Sequence, residues 1–393
     1  MINLVQDTID NKDINQLIKW LKTYPRLTKG PLTPQFEEKF AKWIGSKYSV
    51  FVNSGSSANL LMLYALIISN KLKNKKIVVP SLSWATDLAP VIQLGLEPIL
   101  VDCNLDNLSV DTKHLEEIFA NESPSCLILV SVLGLSPDMD KIVKLCDKYN
   151  VILLEDNCES QGTKYKNIKL GNFGLMSSFS TYFGHIMSTV EGGIITTNDK
   201  DIYDTLIQLR SHGWDRDLNK EKQTQLRNEW NVDEFSALYT FYIPGFNLRP
   251  TDINSFFGIN QLNKVDKLIK KRNSNFKLFK KLLKDKVWFP KETNNTYTSS
   301  FCIPIIMNSS LEKEQLIKIL TKNNIECRPL ISGSMGNQPF YKKIYGIKKL
   351  PNCSIIDDRG IYIPNHPKLS NEQIEFMCSL IINLTNESKS NSF

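Results

Sequence analysis

Between residues 47 and 200, seven short apolar segments rich in β-branched residues alternate with amphipathic helical stretches, and this alternation restricts the fold more than anything else in the chain. The segments are YSVFVNS, KIVVPS, EPILVDC, SCLILVSV, VILLEDN, MSSFST and GGIITTN. Runs such as CLILVSV are apolar on both faces of an extended chain, as strands are when helices cover a sheet from both sides. The pattern predicts an α/β domain with a mostly parallel sheet. Its functional residues should stand at the carboxyl ends of strands and in the loops that follow. Residues 251–285 read as long helices. Beyond them come a strand (SFCIPIIM), a helix (EKEQLIKILTKN), a strand (IECRPL) and a final helix (NEQIEFMCSLIINLTN). The expected division is a large domain over residues 1–265 and a smaller α+β domain over 266–393, with NESKSNSF as a disordered tail.

The net charge of +7 comes from 48 Lys and Arg against 41 Asp and Glu. The lysines are densest over Lys264–Lys286, interleaved with Asn, Leu and Phe at helical spacing, which reads as a solvated helix face rather than a nucleic-acid groove. A modest positive field still favours the approach of a nucleotide diphosphate. The eight cysteines contain no CxxC pair, so neither a disulfide framework nor a metal site is expected, and a reducing cytoplasm suits them. The polar start, MINLVQDTIDNKDINQLIKW, does not read as a signal peptide, and no apolar run approaches membrane-spanning length. Neither a membrane nor a nucleic acid is an expected partner.

Four strand ends make chemical sense together around a flat cofactor that carries a phosphate. Asn53–Asn59 (NSGSSAN) turns from a strand into the helical run NLLMLYALII; backbone N–H groups at a helix start, with Ser56 and Ser57, suit a phosphate, though such a turn also serves as a plain cap. Pro80–Trp84 (PSLSW) ends the next strand, and Trp84 could stack on a heteroaromatic ring or fill a core. In Leu153–Glu159 (LLEDNCE), a carboxylate at the end of a buried strand could pair with a protonated pyridine nitrogen. No histidine lies within twenty residues, so a local metal cluster has little support. Ser177–Gly193 reads SSFSTYFGHIMSTVEGG: Ser178 and Ser180 offer hydroxyls, and His185 follows in a glycine-bounded turn. A histidine sharing a loop with such serines can move protons near neutral pH.

In this order, these segments resemble the fold type I pyridoxal-phosphate enzymes and, more closely, the sugar aminotransferase family acting on nucleotide-linked keto-sugars. The resemblance covers nearly the whole chain. It includes Leu27–Pro31 (LTKGP), FEEKFAKWIGSKYSVFVNSGSSANLL, VPSLSWATD, ILVDCN, LLEDNCE, the SFSTYFGH…EGG loop, LRSHGWDRD and Gly245–Pro250 (GFNLRP). It implies that Asp156 pairs with the pyridine nitrogen of pyridoxal phosphate, that Trp84 stacks on the ring and that Ser56, Ser57 and Ser180 hold the phosphate. Asn247 would reach the cofactor of a neighbouring subunit, which implies a homodimer with shared active sites. Glu159 stands where the family usually has Gln against the ring-side oxygen.

His185 stands where the family carries the lysine that anchors the cofactor, and no lysine occurs between Lys169 and Lys200. A histidine cannot form that covalent anchor. The chain is in this respect similar to a branch of the family, the 3-dehydratases of nucleotide-linked 4-keto-6-deoxy sugars. That resemblance implies a cofactor working as pyridoxamine phosphate, His185 as base and then acid, loss of the C3 hydroxyl, and recharging by glutamate. The product would be a 3,6-dideoxy-4-keto sugar of the lipopolysaccharide O-antigen kind. Cys158 matches one ligand of the iron–sulfur cluster in the CDP-sugar type, but no cysteine lies between Cys158 and Cys302 to supply the rest. GDP-4-keto-6-deoxymannose is therefore the expected substrate, although a second histidine common in that branch is replaced by Ile186. His212, Trp214, Arg249, Arg328 and the 332–338 segment are expected at the sugar nucleotide or the glutamate carboxylate, because arginine suits phosphate and carboxylate. His366 is a weaker candidate, and His114 reads as surface. The alternatives are an ordinary sugar aminotransferase, a reductase-coupled dehydrase, and a regulatory protein that has kept the fold without catalysis.

Overall fold

The computed structural model describes residues 1–390. All seven expected strands form, as β1 (Tyr48–Val52), β2 (Lys76–Pro80), β3 (Glu97–Val101), β4 (Cys126–Val130) and β5 (Ile152–Asp156), then, after the two-residue β6 (Lys164–Tyr165) and β7 (Ile168–Lys169), β8 (Met176–Ser180) and β9 (Gly193–Thr197). They build one sheet in the order β1-β9-β8-β5-β4-β2-β3. Every pairing from β8 through β5, β4 and β2 to β3 is parallel, and β9 alone runs against its neighbours. The expected α/β class with a mostly parallel sheet is what forms.

Alternation along each strand sends side chains to two different cores. Ile77 and Val79 pack with Leu61, Met62 and Leu66 of the Gly55–Ile68 helix. Val78, between them, packs with Leu127, Leu129, Phe119 and Met139 on the opposite face. The Gly55–Ile68 helix is apolar nearly all round because it is buried rather than amphipathic. A third cluster is aromatic: Phe36, Phe40, Phe51 and Phe179, closed by Ile186 and Met187.

Beyond the sheet, the helical run expected over 251–285 breaks into Asp252–Leu262 and Val265–Leu283. The C-terminal part holds a three-stranded sheet in which β13 (Gly360–Pro364) lies between β11 (Cys302–Ile306) and β12 (Arg328–Pro329). Of the expected strand IECRPL only the two residues of β12 pair with β13, and the central β13 was not anticipated. The remaining short strand, β10 (Thr296–Tyr297), pairs with β6 in a separate three-stranded sheet, β10-β6-β7.

Three details depart from expectation. The first residues attach to the C-terminal part, where Ile2 bridges Ile325 and Leu4 N–H donates to Glu326 Oε2 at 2.7 Å. The final helix, Asn371–Ser390, carries through most of the stretch expected to be a disordered tail, because Ile374, Met377, Cys378 and Ile381 pin it to the core; residues 391–393 lie outside the described residues. His114 is half-buried, not a free surface residue, and its Nδ1 accepts from Asp102 N–H at 3.2 Å. No helix among the described residues is long and apolar enough to cross a membrane.

Candidate active site

Register places the chemistry. Asp156, the last residue of β5, lies opposite Ser178 on β8, and Ser180 lies opposite Gly193 on β9. Asp156 is buried; its Oδ2 accepts from Asn59 Nδ2 at 2.6 Å and its Oδ1 from Cys158 N–H at 2.8 Å. Three residues beyond Asp156, Glu159 Oε2 accepts from Leu133 N–H at 2.7 Å. Burial, with a smaller push from the Asp156 charge, raises the Glu159 carboxyl from 4.5 to about 7.

The Gly55–Ile68 helix begins beside these residues, with Ser56 exposed and Ser57 donating its hydroxyl to Asn53 Oδ1 at 2.6 Å. Close packing requires glycine at two places. A Cβ on Gly55 would stand 2.9 Å from Ser180 Cβ and 3.0 Å from Cys158 Sγ. One on Gly193 would stand 2.1 Å from the Ser54 carbonyl oxygen. The helix N-terminus, with its unpaired N–H groups and positive dipole end, is thereby held against Ser180. Ser178 Oγ is buried with no hydrogen-bond partner. Trp84, at the mouth of β2, is 59% exposed, a large cost for an indole without a partner ring.

His185 sits in the loop joining β8 to β9. Thr181 N–H donates to Gly192 O, Thr189 N–H to Thr181 O and Asn254 Nδ2 to Thr189 O, while Ile186 and Met187 anchor the loop in the aromatic core. The loop carries Val190 at φ +72°, a left-handed conformation costing a β-branched residue on the order of 1–3 kcal/mol. The position where a second histidine was considered is filled by a fully buried isoleucine, which explains why a polar side chain is absent there. The His185 Nδ1 is buried with no protein partner. Burial pulls its pKa from 6.5 to about 4; the Asp156 charge and the Cys158 carbonyl oppose this, and the buried Arg272 guanidinium assists it.

The expected substrate residues form a second group. The 245–249 segment pairs with 209–213 through Phe246 N–H to Leu209 O, His212 N–H to Phe246 O and Leu248 N–H to Arg210 O. That pairing brings His212 to 5.1 Å from Trp214, sets the Arg249 guanidinium 5.6 Å from the Trp214 ring and lets Arg249 Nε donate to Asn247 Oδ1 at 2.9 Å. Trp214 and Arg249 border a cavity of about 560 Å³ whose wall also carries Arg26, Lys29 and Arg216, and which neither Asp156 nor His185 lines. Arg328 stands apart from both groups, exposed on β12 and 3.8 Å from Glu326. The 332–338 segment packs under Trp84: Met335 N–H donates to Ser81 O at 2.8 Å, and Ser332 Oγ to Ser83 O at 2.5 Å.

Sequence reading passed over Asn59, Asp87 and Arg272. Asp87 carried a signal, an acid at the third position of the helix that follows PSLSW, where a capping-box side chain reaches back to the N-cap backbone. Arg272 carried none, since it hides in a lysine-rich helix; its guanidinium is 1% exposed and donates to the carbonyls of Phe301 and Asn365. His366 is buried with both ring nitrogens unpartnered, and burial lowers it to about 4. Among the described residues one other group offers metal-type ligands, Asp102, Cys103 and Cys353, but both oxygens of Asp102 already accept from the N–H groups of Cys103, Asn352 and Cys353.

These residues fit pyridoxal phosphate. An acid at a buried strand end, an exposed indole, an unpartnered serine hydroxyl and an imidazole Nδ1 without a partner stand at or beyond the strand ends, and a helix N-terminus is held against Ser180. A mostly parallel sheet with this set at its strand ends defines the fold type I pyridoxal-phosphate class. The chain belongs to the DegT/DnrJ/EryC1/StrS aminotransferase family, which it matches over residues 7–381. A GDP-4-keto-6-deoxy-D-mannose 3-dehydratase of Escherichia coli O55:H7 is 35% identical over 359 residues, covering 89% of this chain and 92% of the relative. A crystal structure of GDP-4-keto-6-deoxymannose-3-dehydratase, a histidine-to-asparagine variant with bound GDP-perosamine, matches with a TM-score of 0.89 at 32% identity, over 97% of this chain and 100% of that one. A structure of GDP-4-keto-6-deoxymannose-3-dehydratase with a trapped PLP-glutamate geminal diamine matches equally well, with a TM-score of 0.89 at 32% identity and the same coverage.

Proposed function

We propose that this protein is a pyridoxamine-phosphate-dependent 3-dehydratase of a nucleotide-linked 4-keto-6-deoxyhexose, with GDP-4-keto-6-deoxymannose as substrate and glutamate as amino donor. One observation carries the reading: the loop facing Asp156 presents a neutral imidazole, its Nδ1 without a protein partner, where the family places a lysine. The names of the similar proteins point the same way. When bound, the cofactor would supply an electron sink for the pair released on removal of a C–H proton, and return of that pair would drive loss of the sugar's C3 hydroxyl.

The chain does the rest. Asp156 would hold the proton on the ring nitrogen, Trp84 would cover the ring, and Glu159 would stand at the ring-side oxygen. Ser56, Ser57 and Ser180, with the helix N-terminus, would hold the phosphate. His185 is neutral at pH 7 and able to accept a proton, and Nδ1 is the ring atom the protein leaves free to carry it. Once protonated, the imidazolium is favoured by the Asp156 charge and can pass its proton to the departing hydroxyl. Cys158 lies against Asp156 with its thiol pushed well above the ordinary range by burial, and it joins no group of three potential metal ligands among the described residues. That favours recharging by glutamate over a cluster-fed electron supply.

The working unit in this reading is a homodimer in the cytoplasm, each chain divided near residue 265. Asn247, Arg249, His212 and Trp214 complete the partner's site, and Arg328 helps to hold the sugar nucleotide or the glutamate carboxylate. The separation of that group's cavity from Asp156 within one chain supports a shared site, as do Phe235 and Tyr239 nearby, 83% and 76% exposed.

The test is incubation of the protein with pyridoxamine phosphate, glutamate and GDP-4-keto-6-deoxymannose, followed by mass spectrometry. A sugar nucleotide short of one oxygen, formed in step with 2-oxoglutarate and lost in His185→Asn, is the expected result. An amino sugar as product would overturn it.

A further inference from the structure

Behind the acid of the cofactor site stands a second one. Asp87 lies in the first turn of the Ala85–Gln93 helix and is 1% exposed. Its Oδ2 accepts from the backbone N–H of Trp84 at 3.1 Å, while its Oδ1 lies 3.2 Å from Asn59 Nδ2. The same amide nitrogen donates to Asp156 Oδ2 at 2.6 Å and lies 3.3 Å from the carbonyl of Thr86. An amide nitrogen has two hydrogens, and three acceptors converge on this one. Two carboxylates cannot both stay ionised in a buried space with a single neutral amide between them. One must carry a proton and donate it. Asp156 has two short donors of its own, Asn59 and the Cys158 N–H, which stabilise its anion. Asp87 has weaker ones and no cation.

We propose that Asp87 is a positioning residue of the cofactor site, a neutral carboxylic acid that locks Asp156 and Trp84 into one unit. Its hydroxyl donates to Asp156, and its other oxygen fixes the backbone of Trp84. Burial and the neighbouring charges of Asp156 and Glu159 all raise the Asp87 pKa, in keeping with a protonated group. The arrangement gives the site one negative charge where two acids stand. A donor to Asp156 also lowers its basicity, which leaves the shared proton on the cofactor's nitrogen. The two side chains expected above and beside the ring then move together or not at all.

The inference rests on the cofactor reading and is tested without substrate. The dissociation constant for pyridoxamine phosphate, the pH titration of the bound cofactor's absorbance and the apoprotein melting temperature are compared in wild type, Asp87→Asn and Asp87→Ala. Asparagine keeps a donor and an acceptor, so Asp87→Asn should bind within about threefold of wild type, with the absorbance titration in place. Asp87→Ala should weaken binding about tenfold or more, as expected when a buried partner is lost, and should shift that titration. The shift separates positioning from general loss of fold, which alone would not move it. Equal binding and titration in all three proteins would overturn the proposal. So would an Asp87→Asn variant as impaired as Asp87→Ala, because that would mean an ionised Asp87. A wild-type protein that binds no pyridoxamine phosphate would instead sink the cofactor reading itself.

Discussion

The ring of His185 lies 5.2 Å from that of Phe301, tilted by 31°, and the Phe301 carbonyl accepts from the buried Arg272 guanidinium at 2.7 Å. An apolar face and a cation behind the imidazole both disfavour its charged form. The imidazole is therefore neutral, and the Asp156 charge and the Cys158 carbonyl draw it the other way.

That environment sets an acid limit. His185 and His366 both titrate near 4 in the folded chain, against an ordinary 6.5. Between those values the unfolded chain binds protons that the folded chain refuses, so stability is full above pH 6.5 and falls as pH drops toward 4. Each histidine removes at most about 1.4 kcal/mol per pH unit in that window. Melting temperatures of the apoprotein from pH 7 to 4.5 should fall more steeply in wild type than in His366→Phe.

Glu159 has the opposite sign. Its folded pKa of about 7 lies above its ordinary 4.5, so its proton favours the folded chain at low pH and that contribution is lost as pH rises through 7. Glu159→Gln keeps the acceptor for Leu133 N–H and cannot ionise. Its apoprotein should gain melting temperature relative to wild type between pH 5 and pH 8; a constant difference would contradict the shift.

Trp84 separates binding from folding. An exposed indole contributes little to stability, so Trp84→Ala should change the unfolding free energy by no more than about 0.5 kcal/mol. Loss of ring stacking should nevertheless weaken pyridoxamine phosphate binding severalfold. Denaturant unfolding and a cofactor titration on the same preparation check both halves.

Gly193 is the converse. A methyl group there would meet the backbone of Ser54 and Gly55, which cannot yield as a flexible side chain would. Gly193→Ala should cost about 3 kcal/mol or leave the protein insoluble.

A shared site predicts complementation. His185→Asn and Asn247→Ala homodimers should both be nearly inactive, yet mixing and refolding them should restore about a quarter of wild-type activity, through the one intact site in each heterodimer. No recovery would place Asn247 outside the neighbour's site.

The sheet was legible because buried parallel strands must be apolar throughout, and β4 and β5 contain nothing else until Glu155 and Asp156. His185 and Asp156 were legible because chemistry stands at strand ends. Asn59 and Asp87 were not, since a polar residue in a helix reads as solvated until a neighbouring element buries it. The five-residue β13 escaped for another reason: GIYIP follows a helix directly and becomes a strand only by filling the gap between β11 and β12.

β9 is the one antiparallel strand of the large sheet, so β8 and β9 are joined by a hairpin and not by a crossover helix. His185 thus rides on a tip whose two sides are already held by their own ladder, so its side chain can be exchanged without breaking a pairing of the sheet.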